Sequence, residues 1–417
     1  MTTIPEVSEI VQTLLTTTAD QVAKQTGLIQ RRRQVTGAGL AQTLVLGGLA
    51  QPAATRREQQ QQAAQVGMVV SVQGLEQRFT PTAVVFMRRL LEEGLQQLVS
   101  SEEDGTLLPQ FNGVYLTDCT RLAWGKDGMK LGVRWEIQRG QLQASLSVLT
   151  AHDQRSPVVA CPLPAGALHL GDLGFFQLLR FQQWNAQEVY WLSRFKLGTR
   201  LYSEQNTPLD VATLLATSTE PVVMAVRVGA KLRLPAYLLA APVSESVYQQ
   251  RQTRLKETAR LDQRPVSQRQ AACARWTIYL TNIPHLTFAQ AHTLARTRWQ
   301  IELLFKLWKS HGHILHSRTA NPIRQQCEGF AKLLGVLIAH WLLLVSGWQP
   351  ASISLLDALR LVRTYVPLVM HALSRRLLWH ELLTWLRLDL HHTARRSRRR
   401  KVPLAFQLWQ NFDLVLA

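Results

Sequence analysis

One carboxylate lies among three cations at helical spacing late in the sequence. Residues 298 to 309 read Arg-Trp-Gln-Ile-Glu-Leu-Leu-Phe-Lys-Leu-Trp-Lys. An α-helix turns by about 100° per residue, so Arg298, Glu302, Lys306 and Lys309 share one arc beside an apolar stripe. An acid among cations, on a helix anchored by its apolar side, suits the binding of a metal ion and of phosphate. A surface helix with ordinary ion pairs between turns explains the same spacing, so this segment alone leaves both interpretations open.

Two aspartates stand at the ends of predicted strands. Asp118 follows the apolar residues 114–117, and Asp172 follows residues 167–171. Each would lie at the carboxyl edge of a sheet, where ligand sites gather in open α/β folds. A helix N-cap or a turn is the alternative for either aspartate alone. Together with Glu302, they offer the hard oxygen ligands that Mg²⁺ prefers, and two such ions can promote in-line displacement at phosphorus.

The charge of the chain indicates a polyanionic partner. Its 417 residues carry 47 Lys and Arg against 28 Asp and Glu, a formal net charge of +19. Nucleic acid is the first partner expected from such an excess, and an anionic membrane surface is the second. Arg298 and Lys309, with Lys306 on the same arc, are therefore predicted to contact DNA phosphates.

Composition also indicates folded domains in a reducing compartment. The hydrophobic share of 46% and the 12 tryptophans are typical of packed cores. The four cysteines are widely scattered without a Cys-x-x-Cys pair, which favours reduced thiols in the cytosol and argues against a zinc site. The apolar run 330–348 contains Lys332 and His340, so we expect a buried core helix and no membrane span.

The elements that must position these residues follow from periodicity. Residues up to about 105 read as helices, and Ser71 and Thr80 are predicted N-caps after a turn at Gly67. This pattern is compatible with a helix-turn-helix DNA reader and equally with helices packed without any DNA role. Glutamines 59–62 are predicted to be a solvated helix face.

From about residue 111 the period becomes that of strands. Strands are predicted at 114–118, 130–137, 141–149, 167–171 and 188–193, with a helix at 174–186. A mixed sheet with helices on its faces fits this order. Residues 200–285 are predicted to be strand-rich with an arginine-laden middle, and helices follow up to a dense cationic run at 391–401.

The motifs resemble those of a known family. Arg298, Glu302 and Lys309 match the Tyr-(2)-Arg-(3)-Glu-(6)-Lys signature of DDE transposases of the insertion sequence four family at full spacing. Residues 116–120 resemble the first-aspartate strand of that family, and residues 171–176 with 190–196 resemble the second. Residues 276–282 resemble the strand before the signature helix. The resemblance runs from about residue 30 to residue 410.

This resemblance implies a fold, a chemistry and roles for residues. Asp118, Asp172 and Glu302 would be catalytic ligands of two Mg²⁺ or Mn²⁺ ions on a ribonuclease-H-like core. The enzyme would free the 3′ ends of a mobile element, pass through DNA hairpins, and join the 3′-OH ends to target double-stranded DNA. Trp276 would stack in the gap left by an extruded base, although an ordinary core aromatic is the alternative. A homodimer on DNA and a bacterial cytoplasmic, nucleoid-associated location are also expected.

The expected fold class is therefore mixed α/β, with a β-rich insertion in the catalytic core and helical regions at both ends. The predicted divisions are a DNA-binding region at 1–105, a first core part at 106–199, an insertion at 200–285, a second core part at 286–345, and a basic helical region at 346–417.

One position departs from the signature. Its tyrosine is replaced by Ala295, and the neighbouring Arg296 lies about 100° away around the helix. The departure leaves the three acids intact, so altered DNA handling is expected, and a decaying copy would show the same change. Two other readings stay open: a non-catalytic DNA-binding regulator derived from a transposase, and a ribonuclease-H-type nuclease without strand transfer.

Overall fold

The structure, a computed structural model, describes residues 2–31, 34–101, 108–124, 128–349, 352–396 and 408–409. The helices are α1 Ile4–Thr13, α2 Ala19–Gln25, α3 Gly37–Ala50, α4 Arg56–Gln65, α5 Val72–Glu76, α6 Pro81–Leu95, α7 Pro157–Ala160, α8 Leu178–Ala186, α9 Val211–Ala216, α10 Glu245–Leu261, α11 Gln268–Ala274, α12 Phe288–Thr297, α13 Trp299–Ser310, α14 Pro322–Val345, α15 Leu355–Leu373 and α16 Trp379–Thr393. The strands are β1 Val114–Leu122, β2 Met129–Glu136, β3 Leu142–Val148, β4 Leu168–Gly171, β5 Tyr190–Arg194, β6 Leu201–Tyr202, β7 Pro208–Leu209, β8 Val222–Val228, β9 Leu234–Pro242 and β10 Trp276–Thr281. A π-helical turn, Leu14–Thr18, joins α1 to α2, and 3₁₀ turns lie at Asp153–Arg155 and Leu173–Phe175.

A mixed sheet forms the centre of the described chain. The strand order is β3-β2-β1-β4-β5-β10-β9-β8-β6-β7. β1, β4 and β5 are parallel to one another, and the other neighbours are antiparallel. Three antiparallel strands followed by two parallel ones are the arrangement of a ribonuclease-H-like core. The predicted mixed α/β class and this core are confirmed.

The strands of residues 200–285 extend the same sheet. β10 pairs with β5 on one side and with β9 on the other, so the predicted insertion shares the backbone ladder of the core. The arginine-laden middle of this section is α10, a helix of 17 residues without a buried side chain. Polar residues hide the helical period here, because no apolar stripe marks it.

The helices flanking the sheet begin where the sequence indicated. The Ser71 side chain accepts a hydrogen bond from the backbone N–H of Gly74, and the Thr80 side chain accepts one from Ala83, so both predicted N-caps are confirmed. α3 and α6 pack against α14. Whether α4 and α5 read DNA stays a prediction.

α14 is the core helix expected from the apolar run. Among the described residues it alone has the length and apolarity of a membrane span, yet its apolar window is wholly buried inside the protein. The Lys332 ammonium donates to the carbonyl of His316 at 2.6 Å, and the His340 ring bonds the carbonyl of Gly140 at 2.7 Å. These bonds satisfy the polar groups that would oppose burial.

The glutamines of α4 correct the expectation of a solvated face. Gln62 is buried, and the side-chain oxygen of Gln59 accepts a hydrogen bond from Arg324 at 2.6 Å. Arg324, itself 4% exposed, also bonds Glu328 at 2.8 Å and pairs with Glu76. This network ties the N-terminal helices to α14, beside the core. α15 and α16 pack on one another at the other end, and residues 397–401 of the cationic run lie outside the described residues.

Candidate active site

The two predicted aspartates lie side by side on adjacent strands. Asp172 directly follows β4, as predicted, whereas the prediction that a strand ends at Asp118 was wrong, because β1 continues to Leu122 in its pairing with β2. Thr117 on β1 is paired with Gly171 on β4, and Asp118 and Asp172 are the next residues along these parallel strands. Neighbouring strands are about 4.8 Å apart, and side chains in equivalent register point to the same face. The sheet therefore brings the two carboxylates together although 53 positions separate them in sequence (172 minus 118, less one).

A buried hydrogen bond fixes these two strands next to the acids. The imidazole of His169, on β4, is bonded through Nε2 to the hydroxyl of Thr117 at 3.0 Å. Burial lowers the pKa of His169 well below its usual value, with the Arg134 and Arg180 charges adding to the effect. A neutral imidazole thus joins β1 to β4 on the face opposite the two carboxylates.

Each aspartate is also oriented by the backbone. Asp118 Oδ1 accepts from the N–H of Cys119 at 2.7 Å, and Asp172 Oδ1 accepts from the N–H of Gly174 at 2.8 Å. Asp172 is therefore the N-cap of a 3₁₀ turn, as the alternative interpretation expected. Capping uses one carboxylate oxygen and is compatible with a role for the other.

Glu302 reaches the aspartates through Arg298. Arg298 separates α12 from α13 while keeping helical backbone angles, φ −51° and ψ −30°. Its guanidinium lies 2.5 Å from Glu302 Oε1 and 3.8 Å from Asp118 Oδ2. The predicted apolar stripe of α13 is buried, which fixes this helix over β1: Ile301, Leu304, Phe305 and Trp308.

The electrostatics show that the acids share one site. The pKa of Asp118 is raised to about 6, chiefly by burial; the charges of Asp172 and Glu302 also raise it, while the hydrogen bond from the Cys119 backbone N–H and the Arg298 charge lower it. Burial lowers the pKa of Lys309, and the Asp118 carboxylate opposes that effect. The structure thus places Asp118, Asp172, Glu302, Arg298 and Lys309 in one electrostatic neighbourhood.

The donor set fits a hard divalent cation. Three carboxylates act on one another here, and an ion is the usual way to offset such repulsion. In the described ranges, however, no three His, Cys, Asp or Glu side chains are close enough together to hold one ion at once. The Arg298 guanidinium lies between Asp118 and Glu302, 3.8 Å from the first carboxylate and 2.5 Å from the second.

Two predicted DNA contacts fall in contrasting places. Lys306 is exposed on α13, as a phosphate contact requires. Trp276 is only 7% exposed, and its ring lies in the core between sheet and helices. Its packing favours the ordinary core aromatic over a ring that stacks on a base, because stacking would require the ring to leave the core. Its contact with DNA stays a prediction.

A cleft of about 690 Å³ opens beside the acids. Asp172, Arg298 and the exposed Trp299 and Leu303 line one part of it, and Trp299 is 56% exposed. Sequence reasoning missed Trp299, although its spacing puts it on the side of the helix opposite the buried stripe. The other part of the cleft contains Ala295.

The other part of the cleft is lined by residues that no sequence motif indicated. Arg194, Tyr279, His292 and Arg296 line the cleft around Ala295. They come from β5, β10 and α12, and only the pairing of these strands brings them together.

Comparison with known proteins agrees with this geometry. Residues 151–338 match the family described as "Transposase DDE domain". This part of the chain is therefore similar to the DDE domain of transposases. The matched segment includes Asp172 and Glu302 and begins after Asp118, so the placement of Asp118 rests on its register with Asp172.

Individual relatives cover most of the chain. The transposase for insertion sequence element IS231F of Bacillus thuringiensis subsp. israelensis is 23% identical over 377 residues, 80% of this chain and 79% of its own. The IS231B transposase of Bacillus thuringiensis subsp. berliner is 22% identical over 404 residues, 85% and 84% of the two chains. The IS1151 transposase of Clostridium perfringens is 24% identical over 200 residues, 43% and 42%.

Proposed function

We propose that this protein is a DNA transposase that cuts the ends of a mobile element and joins the 3′-OH ends to target DNA by divalent-metal-dependent phosphoryl transfer. One observation carries the proposal: Asp118 and Asp172 occupy equivalent positions on adjacent parallel strands, and Arg298 joins Glu302 to that pair. The kinship with DDE transposases over most of the chain supports it.

The three acids would hold the metal. Asp118 and Asp172 are in equivalent register on adjacent parallel strands and Glu302 is in the first turn of a helix anchored by its buried stripe, so their positions are set before DNA arrives. Two bound Mg²⁺ or Mn²⁺ ions would supply activation of the attacking oxygen and stabilisation of the leaving oxygen. Because Arg298 now bridges two of the ligands, we propose that it turns to a DNA phosphate when the ions are present.

The surroundings would hold DNA. Lys309 lies near Asp118, Lys306 is exposed one turn earlier, and Trp299 offers an exposed ring at the cleft for stacking. The net charge of +19 favours association with double-stranded DNA at both element ends and at the target. Pairing two ends with one active site per chain leads us to propose a homodimer in the DNA complex. A bacterial cytoplasmic location near the nucleoid fits this role.

Cleavage of element-end DNA tests the proposal. The purified full-length protein is incubated with Mg²⁺ and a plasmid that carries the gene with its flanking DNA. Specific cuts at the element boundaries are expected with the wild type, and none with Glu302→Gln, which should still bind the same DNA. Glu257→Gln is the matched control, because Glu257 is an exposed acid on α10, away from the cluster.

The outcomes separate the alternatives. Joined products with a supplied target plasmid would support the transposase, whereas cuts without joining would indicate a nuclease. DNA binding with no cleavage by the wild type would indicate the non-catalytic regulator. Equal loss of DNA binding and cleavage in Glu302→Gln would contradict the metal-ligand role of Glu302.

A further inference from the structure

A cationic cluster lies in the cleft next to the acidic site. Arg194 on β5 is paired directly with Tyr279 on β10, so both side chains stand on one face of the sheet. His292 and Arg296 lie one turn apart on α12 and face the same cleft. Arg251 reaches this place from α10 and is held by the carbonyl of Trp276 at 2.6 Å.

A hydrogen bond orients the centre of the cluster. The hydroxyl of Tyr279 and Nδ1 of His292 are 3.0 Å apart. Tyr279 is 3% exposed, whereas His292 is exposed, so the buried phenol holds the accessible imidazole ring in place. In the tautomer in which the phenol donates to Nδ1, Nε2 carries the ring proton and can donate a hydrogen bond outward.

The cluster gathers three arginines around one imidazole. Burial lowers the pKa of His292, and the neighbouring charges that lower it further are Arg296, Arg194 and Arg251. In the part of the chain that the structure describes, none of these three arginines forms an ion pair with an acid. Three guanidinium groups around one imidazole repel one another, and a bound anion would relieve that repulsion.

The place of Ala295 leaves room for such an anion. Its methyl side chain lines the cleft together with His292 and Arg296, and Asp172 and Arg298 line the same cleft. A larger side chain at this position would fill the space that these donors surround. A ligand bound here would therefore sit beside the three acids.

We infer that Arg194, His292 and Arg296, with Tyr279 as the positioning residue, form a second phosphate-binding site that holds a DNA backbone phosphate next to the acidic site. Planar guanidinium groups match the oxygens of a phosphate in bidentate fashion, and the outward N–H of His292 adds a third donor. The DNA partner rests on the proposed function; the anion chemistry rests on the cluster itself.

The salt dependence of DNA binding tests this site. The full-length protein, without divalent ions, is titrated against a fluorescent duplex of the DNA that flanks its gene, at several KCl concentrations. Each phosphate contact contributes about 0.9 to the slope of log K against log salt. Arg194→Gln and Arg296→Gln are each expected to reduce the slope by about one unit. Arg194→Lys keeps the charge and should keep the slope.

Two further variants complete the design. Arg360→Gln, which removes an exposed arginine paired with Asp357 on α15, is the control and should leave the slope unchanged. Tyr279→Phe removes the hydroxyl and no charge, so it should weaken binding at constant slope. Equal thermal midpoints of the variants and the wild type verify that the fold is intact.

Unchanged slopes in both Arg194→Gln and Arg296→Gln would overturn the site. The same loss in the Arg360→Gln control would also overturn it, because the effect would then belong to net charge. Metal-dependent cleavage by the wild type is measured separately. If the wild type cleaves DNA and both variants keep the wild-type salt slope, this phosphate site alone is refuted. If both variants show a reduced slope and the wild type does not cleave DNA, the proposed catalysis alone is refuted.

Discussion

Replacing Arg298 with glutamine should make the protein bind Mn²⁺ more tightly in the absence of DNA. The Arg298 guanidinium contacts Glu302 at 2.5 Å and approaches Asp118 to 3.8 Å. An ion held by those carboxylates must first displace it. The side chains of Arg298 and Glu302 are 25% and 31% exposed, so their pair is weaker than a buried one and stronger than a fully exposed one. About 1–2 kcal/mol for the displaced contact corresponds to a gain of roughly 5- to 30-fold in affinity.

Titration calorimetry of the full-length protein with Mn²⁺ measures this gain. Arg296→Gln is the matched control, because it removes the same charge two residues away on an exposed side chain without an ion pair to the acids. The control should change the affinity much less than Arg298→Gln. An equal gain in both variants would show a long-range charge effect, and no gain in Arg298→Gln would refute competition between guanidinium and metal. DNA binding should change in the opposite sense and weaken in Arg298→Gln.

The remaining predictions concern the buried scaffold and the helix beside the acids. Burial lowers the pKa of His340 from 6.5 to about 4, so the unfolded chain takes up this proton first as pH falls. The contribution of His340 to the free energy of unfolding should be complete above pH 6.5, and about 3 kcal/mol should be lost by pH 4. Denaturant titrations of the wild type and His340→Gln across this pH range measure the loss. Parallel pH profiles of the two proteins would contradict the prediction. Arg324→Ala should lower the free energy of unfolding by about 3–5 kcal/mol, because it leaves the buried Glu328 without its ion-pair partner. Arg360→Ala, at an exposed site, should change that free energy by less than about 0.5 kcal/mol. Similar losses in both variants would mean that the Arg324 network is not stabilising. Lys309→Ala should weaken DNA binding and lower its salt slope by about one unit, and an unchanged slope would place Lys309 away from phosphate.

Local patterns predicted the parts of the molecule that short segments determine. Ser71 and Thr80 begin helices because their side chains accept backbone hydrogen bonds a few residues on. The apolar residues of α14 predicted a core helix. The helix can be buried because Lys332 and His340 form hydrogen bonds with carbonyl groups inside the protein. Asp172 was found because it directly follows β4, and ligand sites gather at such ends. The same argument pointed to Asp118, although β1 continues to Leu122 and Asp118 lies within it.

The sequence could not show what depends on distant partners. Gln62 and Gln59 read as solvated, and only the contacts with α3 and α14 reveal their burial. The sharing of one sheet by β5 and β10 is not visible in either segment, so the meeting of Arg194 with Tyr279 was missed. The position of Arg298 between two acids likewise follows from the docking of α13 on β1.

The roles of the three acids remain a prediction that one measurement tests most directly. Anomalous scattering from a crystal of the full-length protein with Mn²⁺ and cleaved element-end DNA locates the ions. The account predicts ions within about 2.0–2.2 Å of oxygens of Asp118, Asp172 and Glu302, with Arg298 turned away from the acids. Ions bound elsewhere, or Arg298 still bridging Asp118 and Glu302 in that complex, would contradict it.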